Sequence, residues 1–206
     1  MWEHDDGRGL ADTVMTIAEN YPPQVLLCNM NLLGTHDSAR ILTALVDDFE
    51  GNREQQAHRR LSPQQYAVAL ERLYMASLIQ YTLPGSPSLY YADEAGMEGH
   101  KDPFNRRTYP WGWENENLLT HFRLLGKLRN QLDALRFGDI HFFHTQNGKL
   151  GFTRQHAGQT LRICVNRSSS PWSQPIGKLL FGRNLASVTK DAVTLAPGGM
   201  CILEDR

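Results

Sequence analysis

The strongest constraint on the fold is that the first 135 residues offer only two candidates for buried strands. Residues 25–30 are mostly apolar without alternation, and residues 88–91 form a second short run before a polar turn. An uninterrupted apolar run is typical of a strand that is covered on both faces, as in a parallel sheet. Two such strands cannot form a stable sheet alone, because both faces and both edges need cover. The N-terminal part is therefore interpreted as the tail of a larger α/β domain.

Three segments carry the apolar spacing of amphipathic helices, with apolar side chains recurring every three or four residues. The predicted helices cover residues 10–20, 62–83 and 118–132. The second has a clear start, because Ser62 can cap it, Pro63 suits the first helical position and Gln65 completes a capping box. The alternation of these helices with the two strand candidates indicates consecutive βα units.

Two long segments between the helices are predicted to be loops. Residues 47–60 are polar and charged, which indicates a solvated segment. Residues 94–117 are rich in Gly, Pro, Arg and Trp. A loop of this length is usually functional or disordered, and its Trp and Arg content argues against disorder.

The pattern changes to short strands only after the Phe-Gly-Asp sequence at residues 137–139. The predicted strands cover residues 140–144, 150–154, 161–165, 179–181, 193–195 and 201–203. The dipeptide Asn147-Gly148 indicates a tight hairpin, and Gly198-Gly199 is predicted to make the last turn. We therefore expect two domains, residues 1–136 and an all-β domain over residues 137–206.

The charge balance argues against several classes of partner. The formal net charge is −1, from 21 basic and 22 acidic side chains, so nothing favours nucleic acid or an anionic membrane. No apolar run is long enough to span a bilayer. The acidic N-terminus does not resemble a signal peptide, which predicts a cytoplasmic protein unless a longer parent carries a signal upstream.

The cysteine content predicts neither a disulfide framework nor a structural zinc site. Cys28, Cys164 and Cys201 are odd in number, and no two of them have the C-x-x-C spacing of a zinc ligand pair. We therefore expect three small apolar core residues in a reducing compartment.

Polar side chains follow the first strand candidate, in the sequence NMNLLGTHDSAR at residues 29–40. His36, Asp37 and Arg40 would lie just past the C-terminal end of that strand, where α/β barrels build their active sites. A carboxylate there can stabilise positive charge, and a histidine can hydrogen-bond a sugar hydroxyl. The alternative is a helix N-cap, for which Thr-His-Asp-Ser is an ordinary sequence. The spacing alone leaves both interpretations open.

Two adjacent carboxylates follow the second strand candidate, in the sequence YYADEAGM at residues 90–97. Asp93 and Glu94 could form a catalytic pair, but neighbours at a strand exit point in different directions. A loop anchor that accepts backbone N–H bonds is the alternative, and it is favoured.

A third group lies in the sequence DPFNRRTYPWGW at residues 102–113, which includes Asp102, Arg106 and Trp111. Trp rings stack on the apolar faces of pyranose rings, and Arg donates to hydroxyl groups, so this loop suits sugar binding. The alternative is a loop that Asp–Arg pairs hold in place, with its Trp side chains in the core.

Together, and in this order, the three motifs resemble the α-amylase family of glycoside hydrolases, most closely its neopullulanase and cyclomaltodextrinase branch. The first is similar to Asn-Leu-Leu-Gly-Ser-His-Asp-Thr-x-Arg of that branch, the second to Tyr-Tyr-Gly-Asp-Glu-x-Gly-Met after barrel strand eight, and the third to Asp-Pro-x-x-Arg-x-x-x-x-Trp. Mild departures occur at Thr35, Ser38, Ala39 and Ala92. The resemblance implies an α/β plus all-β chain: the C-terminal portion of a (β/α)8 TIM barrel, with about its last two strands and helices, followed by an antiparallel β-sandwich domain.

The resemblance also implies hydrolysis of α-glucan bonds with retention of configuration. The family uses an Asp nucleophile, a Glu acid/base and a second Asp that stabilises an oxocarbenium-like state, in keeping with retaining chemistry. By motif match, Asp37 is the stabilising Asp. The implied substrate-binding residues are His36, Arg40, Asp102, Arg106 and Trp111. The nucleophile and the acid would both precede residue 1, so whether the chain is itself an enzyme stays open, and the isolated chain is expected to be inactive.

The alternative function is a non-catalytic carbohydrate-binding or assembly module that uses the β-sandwich and the Trp111 loop. Both functions imply an α-glucan oligosaccharide as ligand. Exposed edges around Leu26 and Leu89 need cover, so we expect self-association or association with the missing N-terminal part of the barrel. No cofactor is expected. Family members can bind calcium, but the usual ligands would precede residue 1, so no metal ligand is assigned.

Overall fold

The computed structural model describes residues 7–47 and 49–205. The acidic N-terminal sequence, on which the argument about a signal peptide rests, lies outside these residues. Two compact units make up the chain. The first, called the helical unit, comprises Met30–Tyr81 and Pro87–Leu128; the second, called the β unit, comprises Met1–Asn29, Thr82–Ser86 and Arg129–Arg206. No helix in the described part of the chain is long and apolar enough to cross a membrane.

Three of the helices lie where the apolar spacing of the sequence predicts them. In chain order they are α1 (Arg8–Asn20), α2 (Pro23–Cys28), α3 (Ile41–Ala44), α4 (Arg53–His58), α5 (Pro63–Thr82), α6 (Glu116–Gln131) and α7 (Asp133–Phe137). Helices α1, α5 and α6 confirm the predicted helices. The predicted capping box of α5 is present, because the Gln65 N–H donates to Ser62 Oγ (3.2 Å) and the Ser62 N–H donates to Gln65 Oε1 (2.9 Å).

Helix α5 packs against α6 in the helical unit through buried side chains. Ser77 Oγ lies 2.9 Å from Nε2 of His121. The Tyr74 ring meets His121 edge-on at 4.8 Å, and the Tyr81 ring meets Phe122 edge-on at 5.9 Å. These contacts hold α5 and α6 together within the helical unit.

The predicted strand at residues 25–30 is wrong. Residues 23–28 form α2, and the strand is the shorter β1 (Met30–Leu32). Pro23 suits the first turn of a helix, and the N–H groups of Val25 and Leu26 donate to Pro22 O at 2.9 and 3.0 Å. A strand needs a neighbour for its ladder bonds, whereas a helix satisfies them within itself. Within the described residues, β1 pairs with one short strand, β2 (Ser86–Ser88), in a two-stranded sheet. The second strand thus ends before Tyr90, earlier than predicted.

The predicted loop at residues 47–60 contains a helix that the sequence analysis missed. Helix α4 begins with its own capping box: the Gln55 N–H donates to Asn52 Oδ1 and the Asn52 N–H donates to Gln55 Oε1, both at 2.9 Å. The Asn-x-x-Gln spacing was therefore a signal for a helix start.

The β unit contains an antiparallel sheet of six strands. They are β3 (Asp139–His144), β4 (Lys149–His156), β5 (Gln159–Asn166), β6 (Trp172–Pro175), β7 (Lys178–Val188) and β8 (Ala192–Asp205). The order is β3-β4-β5-β8-β6, and β7 also pairs with β8. Asn147 and Gly148 both have positive φ, at 54° and 67°, which confirms the predicted tight hairpin between β3 and β4. Strand β6 was not predicted.

The predicted turn at Gly198-Gly199 is also wrong, because β8 runs through both glycines. The N-terminal part of β8 pairs with β6 and its C-terminal part pairs with β5, while β7 follows both parts. The change of partner falls at the glycines, where Gly198 has a φ of +74°. A Cβ on Gly199 would lie 2.6 Å from the backbone oxygen of Asn184. The glycines therefore allow a close approach of β7 within a continuous strand.

The core of the β unit is apolar. It contains the fully buried Cys164, Val193, Leu195, Cys201 and Leu203, with Trp172, Ile176 and Leu185 packed against them. Cys164 and Cys201 lie opposite each other on β5 and β8, and both are free thiols. Cys28 is a free thiol as well but is exposed, so the prediction that it is a core residue is wrong. A hydrogen bond with Cys201 and burial both raise the pKa of the Cys164 thiol, so it stays protonated and acts as a core residue.

Candidate functional site

A tight turn after β1 presents Asp37 to solvent. Thr35 Oγ1 accepts the Asp37 N–H at 3.2 Å, and the Thr35 N–H donates to Ser38 Oγ at 3.3 Å. The side chains of His36 and Asp37 are 65% and 76% exposed. Helix α3 begins beyond this turn, with Arg40 at its N-cap position. The turn is therefore not the helix cap that the sequence left open as an alternative.

Four of the predicted site residues lie together. Nε2 of His36 lies 3.3 Å from Oδ1 of Asp37, and Nη2 of Arg106 lies 3.9 Å from the same oxygen. Arg106 also pairs through Nε with Oδ1 of Asp102, at 2.8 Å. The result is an exposed group of two carboxylates held by one guanidinium, with an imidazole beside Asp37.

Arg40, predicted as a substrate ligand, is fully buried instead. Its Nη1 lies 3.2 Å from Oδ1 of Asp93 and also donates to the Tyr91 backbone oxygen. Its Nε donates to the Asn105 backbone oxygen at 2.7 Å. The guanidinium carbon lies 4.2 Å from the Tyr90 ring centre and 4.4 Å from that of Tyr91. This side chain joins two loops from below and does not face the solvent beside Asp37.

Asp93 is a buried partner of Arg40 and not part of an exposed carboxylate pair. Burial raises the pKa of Asp93 to about 6, against the opposing attraction of Arg40. Gly34 leaves room for it, because a Cβ at that position would lie 2.8 Å from Oδ2 of Asp93. The arrangement supports the loop-anchor interpretation of residues 90–97, although the anchor is a guanidinium rather than backbone N–H groups.

Asn105 is a member of the site that the sequence analysis did not single out. It is fully buried, and its Nδ2 donates to the backbone oxygens of His36 and Ser38, at 2.7 and 2.6 Å. Its place between Asp102 and Arg106 was visible in the sequence, but spacing alone does not distinguish a buried amide from an exposed one.

The tryptophans of the same loop are exposed. Trp111 and Trp113 are 78% and 88% exposed. The alternative interpretation, which placed these rings in the core, is therefore wrong. The Tyr109 ring lies 4.5 Å from that of Trp111. An exposed Trp ring supported by a second aromatic ring offers a flat apolar surface, which suits the faces of a pyranose.

In chemical terms, the site offers charge stabilisation and hydrogen bonding. Asp37 can stabilise a developing positive charge, and His36 and Arg106 can donate to hydroxyl groups. Across the described residues, no group of three or more His, Cys, Asp or Glu side chains is arranged to hold a metal ion.

No protein-family model matches the sequence, but curated proteins do. An amylopullulanase from Thermoanaerobacter thermohydrosulfuricus is 40% identical over 177 residues, which cover 80% of this chain and 12% of that protein. A cyclomaltodextrinase from Geobacillus thermopakistaniensis is 32% identical over 206 residues, covering 93% of this chain and 32% of that protein. The chain thus spans between a tenth and a third of the length of the first curated relatives that it matches.

Solved structures share the fold over almost the whole chain. A debranching enzyme from Nostoc punctiforme superposes with a TM-score of 0.76 at 25% identity, covering 96% of this chain and 39% of that one. An Anoxybacillus α-amylase superposes with a TM-score of 0.72 at 20% identity, covering 100% of this chain and 44% of that one. The second likeness concerns the fold alone.

Proposed function

This chain belongs to the α-amylase family of glycoside hydrolases, as the counterpart of a C-terminal part of its members, and from that premise we propose that it supplies one section of a retaining α-glucan hydrolase. The relatives include amylopullulanases, cyclomaltodextrinases and a neopullulanase. The proposed substrates are accordingly α-glucans of the starch, maltodextrin, cyclodextrin or pullulan type.

The predicted fold class is confirmed at the level of architecture. The chain matches small parts of larger barrel enzymes, and six of its strands form an antiparallel sheet. We propose that the domain boundary falls between residues 136 and 137. The start of β3 at Asp139 supports this position, because every strand of the larger sheet follows it.

We assign the stabilising role to Asp37. The observation that carries the assignment is its exposed carboxylate, presented by a tight turn beside His36 and Arg106. During glycosidic cleavage positive charge builds up on the sugar ring, and a fixed carboxylate nearby lowers the energy of that state. His36, Asp102, Arg106 and Trp111 would bind the sugar hydroxyls and ring faces.

The nucleophile and the acid/base are proposed to come from residues upstream of this chain. Asp93 does not suit either role, because it is buried and its Oδ1 pairs with Arg40. Without nucleophile and acid, the isolated chain would lose covalent and general-acid catalysis together. We therefore expect the chain alone to be inactive.

Association is proposed to cover the apolar residues near the two-stranded sheet. Met30, Leu32 and Leu89 are exposed. Exposed apolar residues beside a sheet of only two described strands favour binding to another chain. The proposed partner is the N-terminal part of the barrel, or a second copy of this chain.

The test of the proposed function uses Asp37→Asn in the presence of a polypeptide that supplies barrel strands one to six. We expect the substitution to reduce kcat on maltoheptaose by about a hundredfold or more, because the carboxylate acts on the charged transition state. Asp133→Asn is the matched control, since Asp133 is also exposed but pairs with Arg136 in α7. Equal activity of the two variants would sink the assignment.

A non-catalytic carbohydrate-binding module is the second candidate, which the exposure of Trp111 and Trp113 favours. It predicts maltoheptaose binding that Trp111→Ala abolishes, with no turnover whether or not the upstream polypeptide is added. The first candidate predicts turnover with that polypeptide.

A further inference from the structure

One buried amide holds the backbone on both sides of Asp37. The Nδ2 group of Asn105 donates one bond to the His36 oxygen at 2.7 Å and another to the Ser38 oxygen at 2.6 Å. An Asn side chain has two amide hydrogens, and here each binds the carbonyl of a direct neighbour of Asp37. The same side chain is fully buried, so it cannot be a substrate contact.

These bonds matter because the turn has no sheet or helix to fix it. Residues 33–40 lie outside the helices and strands of the described structure. The backbone oxygen of Arg40 accepts the Ala44 N–H of α3 at 2.9 Å, whereas those of His36 and Ser38 accept from side-chain donors. Arg106 adds one such bond, from Nε to the His36 oxygen at 3.2 Å. Asn105 supplies the two shorter ones.

Asn105 is itself fixed from the interior. Its backbone oxygen accepts from Arg40 Nε at 2.7 Å, and the Arg40 N–H donates to the Gly99 oxygen at 2.9 Å. Arg40 in turn pairs with Asp93. A continuous set of buried polar contacts thus runs from Asp93 through Arg40 and Asn105 to the turn that carries Asp37.

We propose that Asn105 is a positioning residue for Asp37, which fixes the backbone of the turn so that the exposed carboxylate is presented at one place. Most of the Asp37 side chain is in solvent, so its location depends on the backbone beneath it. A displacement of about 1 Å at a catalytic group can cost roughly a hundredfold in rate. The proposal rests on the role assigned to Asp37, but the order of the turn can be measured separately from catalysis.

The first test measures that order in the chain as it stands. Asn105→Asp keeps the shape of the side chain and removes both donors; Asn105→Leu removes them without adding charge. Asn166→Asp is the matched control, because Asn166 is equally buried and its Nδ2 donates to the oxygens of Ser170, Leu195 and Ala196 in the β unit. We expect amide hydrogen exchange at residues 36–38 to rise about tenfold or more in the Asn105 variants, and not in the control.

Unchanged exchange at residues 36–38 in a folded Asn105 variant would overturn the proposal. Should both variants fail to fold, the unsubstituted chain decides: the Nδ2 hydrogens of Asn105 should exchange much more slowly than those of the exposed Asn117. Exchange at the same rate as Asn117 would equally refute the proposal.

The second test measures catalysis with the upstream polypeptide present. Per folded molecule, Asn105→Asp should lower kcat on maltoheptaose by about 10- to 100-fold with little change in KM, because the misplaced carboxylate acts in the transition state. Asn166→Asp should change neither constant. If the unsubstituted chain shows no activity even with the upstream polypeptide present, the proposed function is refuted. The hydrogen-exchange measurement would then still decide whether Asn105 fixes the turn. Wild-type kcat in Asn105→Asp would refute the positioning itself.

Discussion

At the scale of single residues, the site depends on a buried ion pair as much as on its exposed carboxylate. Arg40 and Asp93 are both removed from water, and each has further partners or close neighbours that leave little free space. Removal of one member of a buried pair leaves an uncompensated charge, which is usually strongly destabilising. The motif residues therefore divide into those that face solvent, such as Asp37, and those that hold them in place.

The raised pKa of Asp93 predicts a pH dependence of stability. Burial, opposed by Arg40, brings the pKa of Asp93 to about 6 in the folded chain, against about 3.9 for an exposed Asp. Between these values the folded chain binds a proton that the unfolded chain does not. The contribution of Asp93 to stability is thus fully present below about pH 4 and is lost as the pH rises through about 6.

Asp93→Asn isolates this contribution, because it removes the titrating group and retains the shape. The difference in free energy of unfolding between wild type and variant should shift in favour of the wild type as the pH falls from about 7 to about 4. Chemical denaturation at several pH values measures it. A difference that stays constant over this range would contradict the raised pKa.

The residues of the site differ in how far the sequence could reveal them. The motif alone singles out His36 and Asp37, whose side chains are exposed. The burial of Arg40 could not be read from the same motif, because it depends on Asp93 and Asn105, more than fifty residues away in the chain. Contacts of that kind are properties of the fold and not of local spacing.

At the scale of elements, local signals correctly predicted three helices, α1, α5 and α6, and the hairpin between β3 and β4. The capping box of α5 and the Asn147-Gly148 turn act within a few residues, so their sequences suffice. The prediction of a strand at residues 25–30 was wrong, because an apolar run alone does not distinguish a strand from a helix. A strand needs a neighbouring strand for its hydrogen bonds, whereas a helix does not. The prediction of a turn at the two glycines of β8 was wrong for a related reason. These glycines allow the close approach of β7 and do not reverse the chain.

Gly199 provides a test of that explanation for β8. A Cβ at Gly199 would lie 2.6 Å from the Asn184 oxygen and 2.7 Å from the Ala196 oxygen. We expect Gly199→Ala to lower the free energy of unfolding by about 2 kcal/mol or more, because backbone on both sides must move.

Gly158→Ala is the control for the Gly199 substitution. Gly158 has a φ of +83° but no atom within 4 Å of an added Cβ. Its substitution should cost about 1–2 kcal/mol, from the left-handed backbone alone. Thermal unfolding of the two variants measures both effects. A smaller loss for Gly199→Ala than for Gly158→Ala would show that β7 does not approach this closely.

At the scale of the whole molecule, the chain matches a tenth to a third of the length of its first curated relatives, and we propose that it holds one part of a catalytic site. The described residues supply an exposed carboxylate at Asp37, exposed tryptophan side chains and an antiparallel β-sheet. The two-stranded sheet of the helical unit and its exposed apolar side chains indicate that further strands belong beside it. We therefore propose that the chain contributes one section to a larger barrel.

The most direct measurement of this claim is hydrolysis of maltoheptaose by the pure chain, with and without a polypeptide that supplies barrel strands one to six. The account predicts no turnover by the chain alone and turnover when the polypeptide is added, because only then are nucleophile and acid present. Turnover by the pure chain would contradict it and would make Asp93 and Glu94 the carboxylates to substitute next.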